Sequence, residues 1–231
     1  MKDFAQLENI LDVKFKDQDL LRQSLVHRSY LNENPGFPLP HNERLEFLGD
    51  AVLELVVTEY LYQHYPNPEG ELTNWRAALV NAIMLSGIAA GLGLEDYLYL
   101  SRGEAKDSGS KARQYILANA IEAVIGAIYL DQGMAATAKF IHQCVISKFP
   151  EVLKQKSYLD PKSRFQELAQ EIYGITPSYL VLDEHGPDHA KEFKVGLYLG
   201  EELVTEGVGS SKQEAQVAAA AEGLKVKKWN N

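Results

Sequence analysis

Residues 42–52 read Asn42-Glu43-Arg44-Leu45-Glu46-Phe47-Leu48-Gly49-Asp50-Ala51-Val52. They lie in a helical pattern that runs to about His64. Glu43, Glu46 and Asp50 are spaced i, i+3, i+7, which at about 100° per residue stacks them along one helix face. Leu45, Leu48, Val52 and Leu55 mark a separate apolar face, expected to pack into a core. Like charges three or four residues apart cost about 0.2–0.5 kcal/mol per pair. A divalent cation removes that cost, because hard cations take carboxylate oxygens. On spacing alone, a solvated acidic face relieved by Arg44 and counterions is equally open.

A second run, Gln114 to Leu130, tips the balance. It carries Ile116, Leu117, Ala120, Ile121, Ala123, Val124, Ile125 and Ile128, and among them Asn119 and Glu122 at i, i+3. Two oxygen-bearing side chains on so apolar a helix are expected to be half-buried at least. A buried charge is costly unless it is paired or metal-bound.

The stretch 42–52, together with Leu-Ala-Asn-Ala-Ile-Glu-Ala-Val-Ile-Gly-Ala-Ile-Tyr-Leu-Asp at 117–131, resembles the signatures of the ribonuclease III family. The resemblance extends to Leu-Leu-Arg-Gln-Ser-Leu-Val-His-Arg-Ser-Tyr at 20–30, to Glu69-Gly70 and to the C-terminal third. It spans nearly the whole chain, in the bacterial two-domain arrangement.

Composition sets outer bounds. The 231 residues leave room for one or two domains. At 45% hydrophobic and 24% charged, the composition is that of an ordinary globular protein. No run approaches the ~18 apolar residues of a membrane span, and the first residues lack an apolar signal segment. One cysteine, Cys144, excludes an intrachain disulfide, and no Cys/His cluster suggests zinc. A cytoplasmic protein whose metal is held by oxygen is the expectation. The net charge of −9 argues against a polyanion partner, but local basic patches decide that question.

Along the chain, residues 3–29 read as one or two short helices, with Asp17 capping Gln18 to Ser29 and His27 as a packing residue. Three prolines and a glycine make 31–41 a loop. Pro66, Pro68 and Gly70 make a turn holding Glu69. Glu71 to Ala90 is helical, with Thr73 as cap and Leu79, Ile83 and Ile88 as anchors. Arg76 is either phosphate-facing or in a surface salt bridge. Ser101 to Lys111 is a polar loop whose Arg102, Lys106 and Lys111, with Arg113 following, either approach RNA or form a solvated connector. Gly133 stops the second acidic helix, and a last helix, Met134 to Lys148, closes an all-α domain, 1–149. A linker, 150–158, follows, and a second domain occupies 159–231.

That second domain changes period. Asp160-Pro161 opens a helix to Tyr173. Ser178–Glu184, Glu192–Leu199 and Leu203–Val208 are β-like, and Ser210 or Ser211 caps a helix from Lys212 to Lys225. The α-β-β-β-α order and the Gly-Ser-Ser-Lys-x-Glu-Ala run resemble the double-stranded RNA-binding domain. The resemblance assigns Gln166 to one minor groove, His189 to the next, and Ser211 and Lys212 to phosphate. A helix N-terminus suits an anion, and such domains read A-form shape. Yet Gln213 and Glu214 stand where basic residues are common. Residues 160–231 carry twelve acidic and eight basic residues, a net of −4. Weak, salt-sensitive RNA binding is therefore expected.

For the first domain the resemblance implies hydrolysis of double-stranded RNA to 5′-phosphate and 3′-hydroxyl ends with short 3′ overhangs. Glu46, Asp50 and Glu122 would hold Mg²⁺ (Mn²⁺ substituting), with Asn119 as fourth oxygen donor. Asp50 and Glu122 are least replaceable; Glu43 and Glu69 act at the groove. Many relatives carry Asp where this chain has Asn119. Phe47 matches an aromatic that inserts into a second subunit, implying a homodimer. Precursors of ribosomal RNA and other structured transcripts are the implied substrates. The competing reading is a non-catalytic double-stranded RNA-binding protein on the same scaffold.

Overall fold

The structure, a computed structural model, describes residues 2–107, 109–155, 160–187 and 191–229. The chain divides into two compact units, Met1–Tyr158 and Leu159–Asn231. Among the described residues no helix is long and apolar enough to cross a membrane.

The first unit opens with three short helices, α1 (Phe4–Leu11), α2 (Gln18–Ser24) and α3 (Arg28–Glu33). Asp17 caps α2 by accepting from the Asp19 amide. The expected run to Ser29 breaks at Leu25. There the backbone leaves the helix to bond with a distant segment: Tyr99 N–H donates to Leu25 O and His27 N–H to Tyr99 O. His27 then caps α3, its Nδ1 accepting from Ser29 N–H.

Helix α4 (Glu43–His64) carries the acidic stretch, and α5 (Glu69–Val80) and α6 (Ala82–Gly91) follow. The reading of one helix from Glu71 to Ala90 is corrected. Asn81 is extended and caps α6 by accepting from Met84 N–H. Thr73 is no cap: it lies inside α5, donating to Glu69. Glu69 is not in a turn but is the first residue of α5, after Pro68. Leu79 and Ile88 are buried as expected, while Ile83 is 78% exposed. After a 3-10 turn (Leu94–Tyr97) the polar loop contains a short helix, α7 (Arg102–Lys106).

Helix α8 (Lys111–Gln132) is the axis of the unit. Ile121, Val124, Ile125 and Ile128 are wholly buried, each contributing on the order of 1.5–3 kcal/mol. At its far end Asp131 accepts from the amides of Lys16 and Asp17, tying α2 to it. Gly133 stops it with a positive φ. Helix α9 (Met134–Cys144), a 3-10 turn (Ile146–Lys148) and α10 (Phe149–Gln155) complete the unit. The expected linker from residue 150 is thus helical as far as Gln155, because Phe149 and Val152 are buried in the core.

In the second unit α11 (Pro161–Tyr173) and α12 (Lys212–Val226) flank β1 (Ser178–His185), β2 (Glu192–Leu199) and β3 (Glu202–Gly209). The strands form an antiparallel sheet in the order β1-β2-β3. Asp160 caps α11, with Pro161 in its first turn, and Ser211 rather than Ser210 caps α12. Phe165, Ala169, Leu197, Leu199, Ala219, Ala220 and Leu224 form the core. Gly207 admits α12 to the sheet, since a methyl there would strike the Ala219 amide and the Ala215 carbonyl.

Candidate active site

The two long helices of the first unit meet backbone to backbone. A methyl on Gly49 of α4 would collide with the Glu122 carbonyl of α8, and one on Gly126 with the Leu45 carbonyl. This crossing sets Glu46, about one turn before Gly49, and Asp50, directly after it, against Asn119 and Glu122. The sequence sign of it was a glycine inside each strong helical pattern, which costs about 1 kcal/mol against alanine unless packing requires it.

The carboxylates act on one another. Glu122 is half-buried, and burial first, then Asp50 and Glu46, pushes its pKa up to about 8. Burial and then the neighbouring Glu43 also raise that of Glu46, against a hydrogen bond from the Asn119 side chain and with a further push from Asp50. Asn119 is half-buried and Asp50 is exposed. Among the described residues no three His, Cys, Asp or Glu side chains gather tightly enough to clamp an ion. The donors are nevertheless all oxygen, two from each helix, with repulsion that a cation relieves. Such a set fits a hard cation that keeps several of its waters.

The rim is less uniform. Glu43 is exposed and pairs with Arg28 at 3.6 Å and His41 at 3.7 Å. Its predecessor Asn42 is buried, its side chain donating to Ser24 O at 3.2 Å and its amide to Val26 O at 2.9 Å. That anchor for the start of α4 was not foreseen. Glu69 lines a depression of about 670 Å³ with Tyr62, Tyr65 and Arg76. Glu71, the next acidic residue of α5, instead accepts from Asn67. Arg76 is held by Glu54 at 3.0 Å and donates to Thr58 at 3.1 Å, which is the salt-bridge reading. Arg113 is buried, not part of a basic loop: it donates to the carbonyls of Asp107 and Glu104 and so folds that loop onto α8.

Leu55 is corrected as well. It is 55% exposed, because the core face of α4 runs through Leu45, Val52, Leu53, Val56 and Val57. With Phe47, 81% exposed, and Ala51, Thr58 and Tyr62, all exposed, it makes a stripe along the outer side of α4.

In the second unit Gln166 is exposed on α11, and Lys212 is exposed at the start of α12 with its ammonium 5.6 Å from the centre of the Phe193 ring. Ser211 Oγ accepts from Glu214 N–H at 3.1 Å, and Glu214 in turn accepts from Ser210 N–H and Oγ. One carboxylate therefore already sits at this helix N-terminus. His189 lies outside the described residues.

Comparison with known proteins identifies the family of both units. Residues 17–149 match the family model Ribonuclease-III-like, and residues 161–227 match the double-stranded RNA binding motif. The chain is 43% identical over 225 residues to Ribonuclease 3 of Dehalococcoides mccartyi, covering 97% of this chain and 94% of that one. It is 41% identical over 232 residues to Ribonuclease 3 of Nitratiruptor, covering all of both. A solved nuclease domain of ribonuclease III from Campylobacter jejuni, described for flexibility in a region involved in dimer formation, superposes with a TM-score of 0.58 at 40% identity. It covers 64% of this chain and 99% of that one. With both helical signatures crossing at Gly49 and Gly126 and an RNA-binding fold following, the chain belongs to the ribonuclease III family.

Proposed function

We propose that the protein is an endoribonuclease that hydrolyses phosphodiesters of double-stranded RNA at a magnesium-dependent site formed by Glu46, Asp50, Asn119 and Glu122. The observation that carries this reading is the meeting of two carboxylate-bearing helix faces at the Gly49–Gly126 crossing. The repulsion built in there has no structural use, and it disappears when a cation binds. Mg²⁺, or Mn²⁺ in its place, held by these four side chains, would supply a water of lowered pKa and a counter-charge for the phosphate. Glu122, held protonated near neutral pH by burial and by Asp50 and Glu46, would hold the cation in its deprotonated form, its proton passing to solvent. Asn119 orients Glu46 through its hydrogen bond and adds a donor without adding charge. Asp50, the exposed member, faces the substrate side. Glu43 and Glu69 stand at the rim.

A duplex has two strands, so two such sites are needed. The stripe Phe47, Ala51, Leu55, Thr58 and Tyr62 supports a homodimer, with Phe47 seated in the depression of about 680 Å³ lined by Leu20, Pro40, Leu48 and Leu130 of a second copy. A two-fold contact of that kind is self-complementary. Its products carry 5′-phosphate and 3′-hydroxyl ends with short 3′ overhangs, from ribosomal RNA precursors and other structured cytoplasmic transcripts. Gln166, His189, Ser211 and Lys212 hold the duplex.

The test is cleavage of a long blunt RNA duplex with and without Mg²⁺, beside Glu122→Gln. Cutting to short overhanging duplexes, abolished by chelation and in the mutant, is expected. Uncut duplex retained by wild-type protein in Mg²⁺ would mean a binding scaffold. For the dimer, Leu55→Asp is expected to sediment as a monomer at micromolar concentration; an unchanged dimer removes the stripe from the interface.

A further inference from the structure

Helix α8 carries a third side chain on the face of Asn119 and Glu122. Tyr115 precedes Asn119 by four residues and Glu122 by seven, spacings that keep all three on one side of a helix, and four residues advance about 6 Å along its axis. Tyr115 is 52% exposed near the start of a helix whose apolar residues from Ile116 to Ile128 are buried. Ile83, 78% exposed at the start of α6, joins it across a depression of about 450 Å³ that Ala82, Lys111 and Gln114 complete. An isoleucine and a tyrosine left open together at a gap in the core surface are not explained by folding. They stand on α6 and α8, whereas the stripe of Phe47, Leu55 and Tyr62 belongs to α4.

We infer that Tyr115 and Ile83 form a shelf that positions the RNA duplex beside the metal site, Tyr115 packing against ribose and bonding through its hydroxyl to a 2′-hydroxyl. The inference rests on the proposed nuclease site. The chemistry fits this ligand: double-stranded RNA shows proteins a shallow minor groove of ribose edges and 2′-hydroxyls, read by shape. A tyrosine offers both an apolar face and a polar tip. Lys111, one further turn along the same face of α8, puts a cation where the backbone would continue. The shelf touches substrate without touching the metal, so it contributes to holding the duplex in register and leaves the chemical step unchanged.

The experiment is steady-state cleavage of one defined RNA duplex in Mg²⁺ by full-length wild type, Tyr115→Ala, Tyr115→Phe, Ile83→Ser and Glu122→Gln. Thermal melting and sedimentation accompany each. Tyr115→Ala is expected to raise KM about tenfold with kcat changed by less than about threefold, the signature of lost uniform binding. Ile83→Ser follows in the same direction. Tyr115→Phe restores most of the KM on the all-RNA duplex, and a duplex with 2′-deoxy positions beside the cut narrows the remaining gap between Phe and Tyr. An unchanged KM in Tyr115→Ala overturns the shelf, as does a fall in kcat at constant KM. A shift of Tyr115→Ala to monomer also overturns it, assigning the patch to a protein contact. If Glu122→Gln still cuts, the nuclease site itself is wrongly placed, a failure that reads out separately.

Discussion

The two units meet the same chemical problem, a phosphate backbone, with opposite means. In the first, half-buried carboxylates are pressed together until Glu122 holds its proton to about pH 8, a repulsion that the proposed cation would relieve. In the second, the start of α12 already holds the Glu214 carboxylate on Ser210 N–H and Oγ, and other acidic residues are tied up by lysines: Glu184 with Lys191 at 2.5 Å, Glu206 with Lys194 at 2.6 Å and Glu202 with Lys227 at 3.0 Å. A chain of net charge −9 is thereby equipped for a polyanion twice over. Net charge reports how a protein disperses in solution; the arrangement of a few groups decides what it holds.

The contrast is broken most completely at Asp50. Asp50→Asn is expected to lower single-turnover cleavage by more than the roughly 10–100-fold that outer-shell partners of a metal cost, while gel-shift binding of duplex stays near wild type. Loss of binding in step with cleavage would merge the two roles that the units keep apart. Next comes the crossing. Gly49→Ala drives a methyl into the Glu122 carbonyl, and overpacking of this kind costs about 1–3 kcal/mol. A fall in Tm of several degrees for the first unit, together with weaker Mg²⁺ activation, is expected; wild-type melting would show that the helices separate without cost.

Charge in the first unit is sharpened by pH. The pKa of Glu122 in the folded protein, about 8, lies above its ordinary value of 4.5. The folded state therefore binds a proton that the unfolded state has released, and this contribution to stability is fully present below about pH 4.5 and lost as pH rises through about 8. Glu46, also raised, adds in the same direction. Metal-free protein should melt at progressively lower temperature from about pH 5 to about pH 9, and Mg²⁺ should recover the loss at the upper end. A Tm that climbs with pH over this range contradicts the coupling. The fourth carboxylate is a smaller step: Asn119→Asp is expected to lower the Mg²⁺ concentration for half-maximal cleavage several-fold, corresponding to about 1–2 kcal/mol. Smallest is the second unit. With Glu122→Gln as the uncutting background, Lys212→Ala should reduce the slope of log affinity against log salt by about 1. An unaltered slope would take Lys212 off the backbone.

Much of this was legible in the residues. Period and capping placed α4, α8, α11 and the strands, because a run such as Ile116 to Ile128 has only one way to hide its side chains, and Asp160-Pro161 and Ser211 are strong local starts. The carboxylates were legible for a related reason: charges at i, i+3, i+7 share a face whatever the helix packs against. Short helices and breaks were less so. Asn81 separates α5 from α6 by capping the second through the Met84 amide, a local device hidden in a continuous helical pattern, and Leu25 to His27 leave the helix to bond with Tyr99, a partner far along the chain.

What the sequence determined by itself is therefore the inventory: two acidic helix faces, an α-β-β-β-α unit, and the side chains able to meet metal and phosphate. Only the tertiary structure decided which of them meet. Gly49 and Gly126 bring α4 and α8 into backbone contact and so turn two separate faces into one site. Leu55 moved from the expected core to the surface, and Arg113 from the surface to the interior, because the side of a helix that is buried depends on which neighbours arrive, and local pattern carries no record of them.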